Sequence, residues 1–305
     1  MSEIAILIVV YKRVNNLEKL ITSLKYSNNE ILVYVDFDDD HSAANQAVIS
    51  CVKKFTSSRV VISTINVRNV GPGFAVPEAI RWGFQYANYL LVIEDDCEIG
   101  TNALQYFTNT QHLIDSRVKV ISGRAAWNEE ALARPKKILT LTNYALTNGW
   151  LVSYDSWNDL SLYLSKKISI IKIAKYLLFN PFNVLPLLFF YSACLINSNT
   201  ERKAWDCYII LQMILENYYA INPDLTCIST GGIDEIATNT KINKLAPNTY
   251  IALASEKSPS YVLNSDKNFI NSNNRHIEKN IFRIKTYHLF SPLKSWFRIF
   301  KYKSI

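Results

Sequence analysis

Residues Ile4 to Tyr11 form an unbroken apolar, largely β-branched run with no charge, glycine or proline. A strand with one wet face alternates polar and apolar residues; this run has no polar face, so both of its faces must be covered. Helices on either side of a parallel sheet supply that cover. The following residues repeat the pattern. Leu17, Leu20, Ile21 and Leu24 recur at helical spacing over Asn15 to Leu24. The pattern then predicts a strand over Ile31 to Phe37, a helix over Ala43 to Phe55, a strand over Val60 to Ile65 and a helix over Pro77 to Ala87, with Pro77 in its first turn. A strand over Tyr89 to Ile93 and a helix over Asn102 to Ile114 complete it. Strands alternating with helices mean an α/β fold around a mainly parallel, Rossmann-like sheet flanked by helices.

The second half is less regular. Val118 to Ser122 reads as a strand, Leu151 to Leu164 as a weak helix and Ala204 to Tyr219 as a helix. Ser169 to Ile196 is strongly apolar, but Lys172, Lys175, Pro181 and Pro186 interrupt it, which argues against a membrane span of about 20 residues. Packed or interface-lying helices suit it better. Asn264 to Asn274 is rich in Asn and Ser and reads as a linker. The division expected is a catalytic domain over 1–262, with a donor half of about 1–125 and an acceptor half of about 126–262, then a linker and basic aromatic tail over 263–305.

The net charge is +7 at pH 7, which favours an anionic partner. The excess sits late in the chain: Arg275, Lys279, Arg283, Lys285, Lys294, Arg298, Lys301 and Lys303 are opposed there only by Glu278. Phe282, Tyr287, Phe290, Trp296, Phe297, Phe300 and Tyr302 interleave with them, as in an amphipathic segment lying on an anionic membrane. Nucleic acid, and packing against the catalytic domain, are the rival readings; nucleic acid is not the expected partner. Five cysteines, odd in number and without metal-ligand spacing, suit a reduced cytosolic chain. The residues before Ile4 lack a basic n-region, so neither a secretion signal nor an N-terminal anchor is expected.

Two acidic clusters follow predicted strands: Asp36-Phe37-Asp38-Asp39-Asp40 and Glu94-Asp95-Asp96. In open α/β sheets ligands bind beyond the carboxyl ends of the strands, and Mg²⁺ or Mn²⁺ takes one or two carboxylates together with substrate phosphates. Asp39 and Asp40 read as solvated loop residues, whereas the apolar lead-in Leu90 to Ile93 favours a functional role for Glu94 to Asp96. Between the clusters lie Gly71 and Gly73, two of only eight glycines; backbone close to a ligand and a plain turn both account for them.

In order, Ile6 to Arg13, the acids after the second strand, Arg68 to Phe74 and Val92 to Asp96 resemble the GT-A glycosyltransferases, especially the group of N-acetylglucosaminyltransferase I and bacterial family-2-like sugar transferases. Their acidic DXD-type motif is written Glu-Asp-Asp, as here. Asn148-Gly149-Trp150, Lys203-Ala204-Trp205-Asp206 and Thr230-Gly231-Gly232-Ile233-Asp234-Glu235 resemble that group too, so the resemblance covers roughly residues 4–240. It implies a nucleotide-sugar donor, UDP-linked, a glycan acceptor, lipid-linked if the enzyme works at a membrane, and a Mn²⁺ or Mg²⁺ ion. Together with the cysteine usage and the basic tail, the expectation is a cytoplasmic enzyme, peripheral on the inner membrane face, that builds a bacterial surface polysaccharide.

Position by position, the resemblance puts Tyr11 and Arg13 at the donor, with Arg13 on the diphosphate. Asp38, or its near competitor Asp36, takes the uracil. Asp96 becomes the metal ligand, while Glu94 and Asp95 hold sugar and ribose hydroxyls. Gly71 borders the donor; Arg68 and Arg81 add charge near the phosphates or form surface ion pairs. An inverting transfer also needs a carboxylate to take the acceptor proton. Asp206 is the candidate, at a helix start where an acid is otherwise a simple helix-end charge. The family carries a second acid directly after Trp-Asp, and Cys207 stands there in this chain, which keeps Asp234 and Glu235 as alternatives. A sugar-phosphate nucleotidyltransferase would want a Gly-rich basic loop where Tyr11-Lys12-Arg13-Val14-Asn15 stands. A non-catalytic binding module would tolerate loss of the acids that are present here.

Overall fold

The computed structural model describes residues 3–24, 27–36, 43–55, 60–63, 70–100, 102–125, 138–165, 168–180, 184–198, 205–223, 226–230, 262–264 and Asn274. Strand β1, Ile4–Val10, is buried along its whole length. It lies between two parallel neighbours, β2 (Glu30–Val35) and β4 (Tyr89–Glu94). Successive side chains of a strand point to opposite faces, and β1 divides that way. Ile4, Ile6, Ile8 and Val10 pack with Leu17, Leu20 and Ile21 of α1 (Val14–Ser23), Val48 and Val52 of α2 (Ala43–Lys54), and Phe107 of α4 (Ala103–Thr110). Ala5, Leu7 and Val9 pack on the other face with Val76, Ala79 and Ile80 of α3 (Pro72–Gly83). The two-sided cover inferred from the apolar run is therefore present.

Among the described residues the main sheet has nine strands in the order β11-β7-β9-β6-β8-β4-β1-β2-β3. Its further members are β3 (Val60–Ile62), β6 (Val118–Ser122), β7 (Ile138–Thr142), β8 (Trp150–Ser153), β9 (Tyr219–Asn222) and β11 (Val262–Asn264). Strands β1, β2, β3, β4, β6 and β9 run one way; β8 runs against β4 and β6, and β7 against β9. The order β3-β2-β1 is that of one βαβαβ half of a doubly wound sheet, with β4 on the other side of β1. A small antiparallel pair joins β5 (Cys97–Ile99) to β10 (Ile228–Thr230). The chain thus has the α/β class expected, a mainly parallel sheet flanked by helices.

Several local expectations need correction. Helix α3 starts at Pro72, which occupies its first turn, so Pro77 lies inside the helix. The weak helix expected over Leu151 to Leu164 is instead β8 followed by α5 (Tyr154–Leu160) and α6 (Leu162–Ser165). Ser153 divides strand from helix: its side chain accepts from the Ser156 backbone N–H, a hydroxyl N-cap. Helix α9, Asp206–Glu216, stops before Tyr219 because Asn217 turns left-handed at φ 55°, and Tyr219 opens β9. Strands β5, β7, β9, β10 and β11 had no sequence expectation.

A third apolar cluster accounts for Ser169 to Ile196. Helices α7 (Ile170–Phe179) and α8 (Val184–Ser198) pack Ile173, Leu187, Phe190 and Cys194 against Tyr208, Leu211, Ile214 and Leu215 of α9. Ile209 and Met213 of α9 face the sheet instead, which is why that helix is buried on all sides. Among the described residues no helix is long and apolar enough to cross a membrane. Helix α7 nevertheless leaves Ile170 70%, Ile171 68%, Leu178 79% and Phe179 84% exposed.

Candidate functional site

The carboxyl ends of β1, β2, β4 and β6 and the amino end of the reversed β8 share one edge of the sheet, where ligands bind in open α/β folds. The Glu94-Asp95-Asp96 turn stands at its centre, between β4 and β5. Asp95 is 7% exposed. One of its carboxylate oxygens accepts from the Tyr11 backbone N–H at 3.2 Å and the other from Arg13 Nη1 at 3.1 Å. The same Arg13 nitrogen lies 3.2 Å from Asp96 Oδ2, so one guanidinium bridges both acids. Beside it, Asn45 Nδ2 donates to the Tyr11 carbonyl at 3.0 Å, and Lys12 Nζ lies 4.7 Å from the centre of the Tyr11 ring.

On the β2 side, Asp36 is buried and its Oδ1 accepts from the Val70 N–H at 3.1 Å. Gly71 follows at φ 73°, a backbone state that side chains disfavour, and its carbonyl accepts from Phe74 and Ala75 to start α3. Asp36 therefore anchors the turn at the head of α3. Arg81 pairs with Glu78 on the surface at 2.7 Å, as its ion-pair reading had it. Asp38, Arg68, Asp234, Glu235 and the basic tail lie outside the described residues.

Asp206 reaches this edge from far along the chain. Val92 of β4, two residues before Glu94, pairs with Trp150 of β8. The Trp150 ring stacks on Trp205, 5.8 Å between centres and 27° between planes, and Trp205 directly precedes Asp206. The carboxylate of Asp206 is felt at Glu94 as a consequence. Burial first, then Asp96, Asp95 and Asp206, push Glu94 up to about 8, against the pull of Arg13. Burial also lifts Asp95 to about 6, opposed by the Tyr11 N–H and by Arg13. The buried Cys97 thiol is raised chiefly by desolvation and then by the flanking acids. The first turn of α9 has no side-chain cap from Trp205, and the positive end of the helix dipole favours the negative charge of Asp206.

The floor on the β6 side is built from backbone. Gly123 donates to the Gly149 carbonyl at 2.7 Å and accepts from the N–H groups of Cys227 and Ile228 at 2.8 and 3.0 Å. Gly149 sits at φ 71°, and a Cβ there would come within 2.5 Å of Ile228 Cγ2. Arg124, which follows Gly123, is a site residue that the sequence reading missed. Its Nη1 donates to Asn148 Oδ1 at 3.3 Å, and burial lowers its pKa, opposed by the nearby Cys97.

No protein-family model and no curated protein matches the sequence. Solved structures do. The 1-349 segment of S. aureus TarS matches at 13% identity and TM-score 0.36, over 50% of this chain and 47% of that one. The chain thus spans about half of that segment. Mouse xyloside xylosyltransferase 1 matches at 10% identity and TM-score 0.36, over 71% of this chain and 82% of that one. The 4-diphosphocytidyl-2C-methyl-D-erythritol synthase of Anaerococcus prevotii DSM 20548 matches at 10% identity and TM-score 0.34, over 54% and 78%. At this level they are similar to the chain in outline and say nothing of its substrate.

The pKa of Glu94 sets a pH dependence. Folded, Glu94 keeps its proton up to about pH 8; its ordinary value is 4.5. Between the two the folded state binds more protons than the unfolded chain, so stability falls as pH rises, by at most about 1.4 kcal/mol per pH unit, and levels off above the folded value. Glu94→Gln removes that loss. In thermal melts with EDTA the variant is expected to melt above the parent at about pH 8.5 and to converge on it toward about pH 5. A gap that stays constant across pH would show that Glu94 is not held protonated.

Proposed function

We propose that this chain is an inverting glycosyltransferase of the GT-A type. It moves a sugar from a nucleoside-diphosphate donor, UDP-linked in this reading, to a hydroxyl of a glycan acceptor. One observation carries the reading: Arg13, the Glu94-Asp95-Asp96 turn and Asp206, distant in sequence, converge on the carboxyl edge of the mainly parallel sheet. That convergence supports the reading, in which the cation takes a diphosphate, the acids a metal and sugar, and the separate carboxylate the acceptor proton.

The chemistry of the acids fits a Mn²⁺ or Mg²⁺ ion held mainly by substrate. Both oxygens of Asp95 are engaged by Tyr11 and Arg13, and Glu94 is held toward its neutral form by burial. Asp96, which shares Arg13 with Asp95 but keeps a side chain 22% exposed, is the protein ligand in this reading. Among the described residues no group of three or more His, Cys, Asp or Glu is gathered to hold a metal, which suits a cation bound by one carboxylate and the donor phosphates. When bound, it would neutralise charge developing on the diphosphate leaving group.

Arg13 turns its guanidinium from the acids to the diphosphate oxygens. Asp95, fixed by the Tyr11 N–H, and Glu94, as a hydrogen-bond donor when protonated, orient the ribose and sugar hydroxyls. Asp206 takes the proton of the acceptor hydroxyl as its oxygen bonds to the anomeric carbon, and the bond from that carbon to the diphosphate breaks on the opposite face. Asp234 and Glu235 remain the alternative bases: β10 ends at Thr230, opposite Cys97 beside the acid turn.

A panel of nucleotide-sugars with Mn²⁺ and glycan acceptors tests the reading. Asp206→Asn is expected to lower turnover by about 10² to 10⁴, the usual worth of a general base, with UDP affinity unchanged. Asp96→Ala and EDTA abolish transfer, and NMR of the product shows an inverted anomeric centre. Normal turnover in Asp206→Asn with loss in Asp234→Asn or Glu235→Gln would move the base; a retained anomer would sink the single displacement.

The same reading sets the enzyme against an anionic bilayer. The exposed face of α7 presents Ile170, Ile171, Leu178 and Phe179 beside Lys175 and carries no acid. The tail from Arg275 adds eight further Lys and Arg residues, and apolar burial with cation attraction is how interfacial helices bind lipid. In vesicle sedimentation, the double substitution Leu178→Glu with Phe179→Glu, and deletion from Arg275 onward, are each expected to weaken binding to anionic vesicles while neutral vesicles bind neither protein. Unchanged binding in both variants would remove the membrane from the reading.

A further inference from the structure

Among the described residues Arg124 differs from the ion-paired cations. Arg13 has Asp95 and Asp96, Arg81 has Glu78, Lys119 has Asp159 and Lys172 has Glu216. Arg124 is part-buried just past the end of β6, and among the described residues its guanidinium donates to the neutral amide of Asn148. No carboxylate among the described residues pairs with it. A guanidinium offers five donors in a planar fork suited to phosphate or carboxylate, and a buried cation without a counter-charge is costly to the fold. Neutral aliphatic residues would fill the space without that cost.

Its surroundings are rigid. Gly123 before it is bonded to Gly149, Cys227 and Ile228. Ala125 after it donates to Thr226 Oγ1 at 3.1 Å. Asn148, the residue it touches, precedes Gly149 with its left-handed backbone. The guanidinium is also within electrostatic reach of Cys97, next to Asp96. With β8 between β4 and β6 in the sheet, Arg124 and Arg13 belong to opposite sides of the acid turn.

We propose that Arg124 anchors a second oxyanion subsite, one that takes a phosphate or carboxylate on the β6 side of the acid turn. Under the glycosyltransferase reading, on which this identification rests, Arg13 takes the donor diphosphate. The oxyanion at Arg124 then belongs to the acceptor, a phosphate or acidic sugar next to the hydroxyl that is glycosylated. Asn148 holds the guanidinium in plane while its remaining donors face the ligand.

The probes are inorganic phosphate and UDP, titrated in EDTA into the parent, Arg124→Met and Arg13→Met by calorimetry and thermal shift. No turnover is needed, so a failed transferase assay leaves this test intact. The parent is expected to bind phosphate, and Arg124→Met to bind it about tenfold or more weakly, the worth of a charge-assisted hydrogen bond. Arg13→Met keeps phosphate binding and loses UDP. Without anion, Arg124→Met melts at or above the parent, because an uncompensated charge has gone; a purely structural arginine would give a lower melting temperature. Loss of UDP along with phosphate in Arg124→Met would keep the subsite and assign its anion to the donor. Unchanged phosphate affinity in Arg124→Met overturns the proposal. So does a parent that does not bind phosphate, which needs no variant to fold.

Discussion

The stack of Trp150 on Trp205 is the contact on which the geometry of the site depends. Trp150 is paired through β8 to Val92 of β4, and Trp205 sits at the head of α9. The rings are buried at 0% and 4% exposure, and aromatic pairs of this kind add about 0.5–1.5 kcal/mol beyond the area they bury. Their energetic worth matters less than their placement. They fix the start of a helix from late in the chain beside the end of a strand from early in it, and so bring Asp206 into the electrical environment of Glu94.

Around that contact the fold solves one problem twice. Strand β1 has no polar face, so its alternating side chains need a helical layer on each side. Helix α9 has no polar face either, being buried without a break from Tyr208 to Leu215, and it lies between the sheet and the layer of α7 and α8. The apolar stretch Ser169 to Ile196 thereby finds its place as cover for α9. Polar groups gather where these layers end, at the carboxyl edge. There Arg13, Asp95 and the Tyr11 N–H satisfy one another while Asp96 stays partly open.

Much of this was legible in the sequence where one signal dominated. The runs Ile4 to Val10 and Leu90 to Ile93 are unbroken, apolar and buried, so the strands and the acid turn after them could be read directly. Val118 to Ser122 was read with its observed bounds. Legibility failed where a strand is short or abuts a helix. Trp150 to Ser153 passes into α5 without a break residue other than Ser153, and its apolar residues fit either period. Strands β7, β9, β10 and β11 are three to five residues long, too short for alternation to show. Pro77 was read as the first turn of α3, whereas the helix starts five residues earlier at Pro72, behind the left-handed Gly71. Arg124 was invisible for another reason: what marks it is the lack of an acidic neighbour among the described residues, a property of three dimensions that no local pattern carries.

The Gly149–Ile228 contact makes for an unequal partnership between two neighbouring positions. Trimming Ile228 would open room beside Gly149, yet the left-handed backbone at 149 would still disfavour any side chain there. Position 228 can therefore change alone, at the cost of a cavity, whereas position 149 cannot change even in company. Drift in this corner of the protein has a ratchet: it can loosen the floor under Arg124 from the β10 side but has no route to refill it from the β8 side.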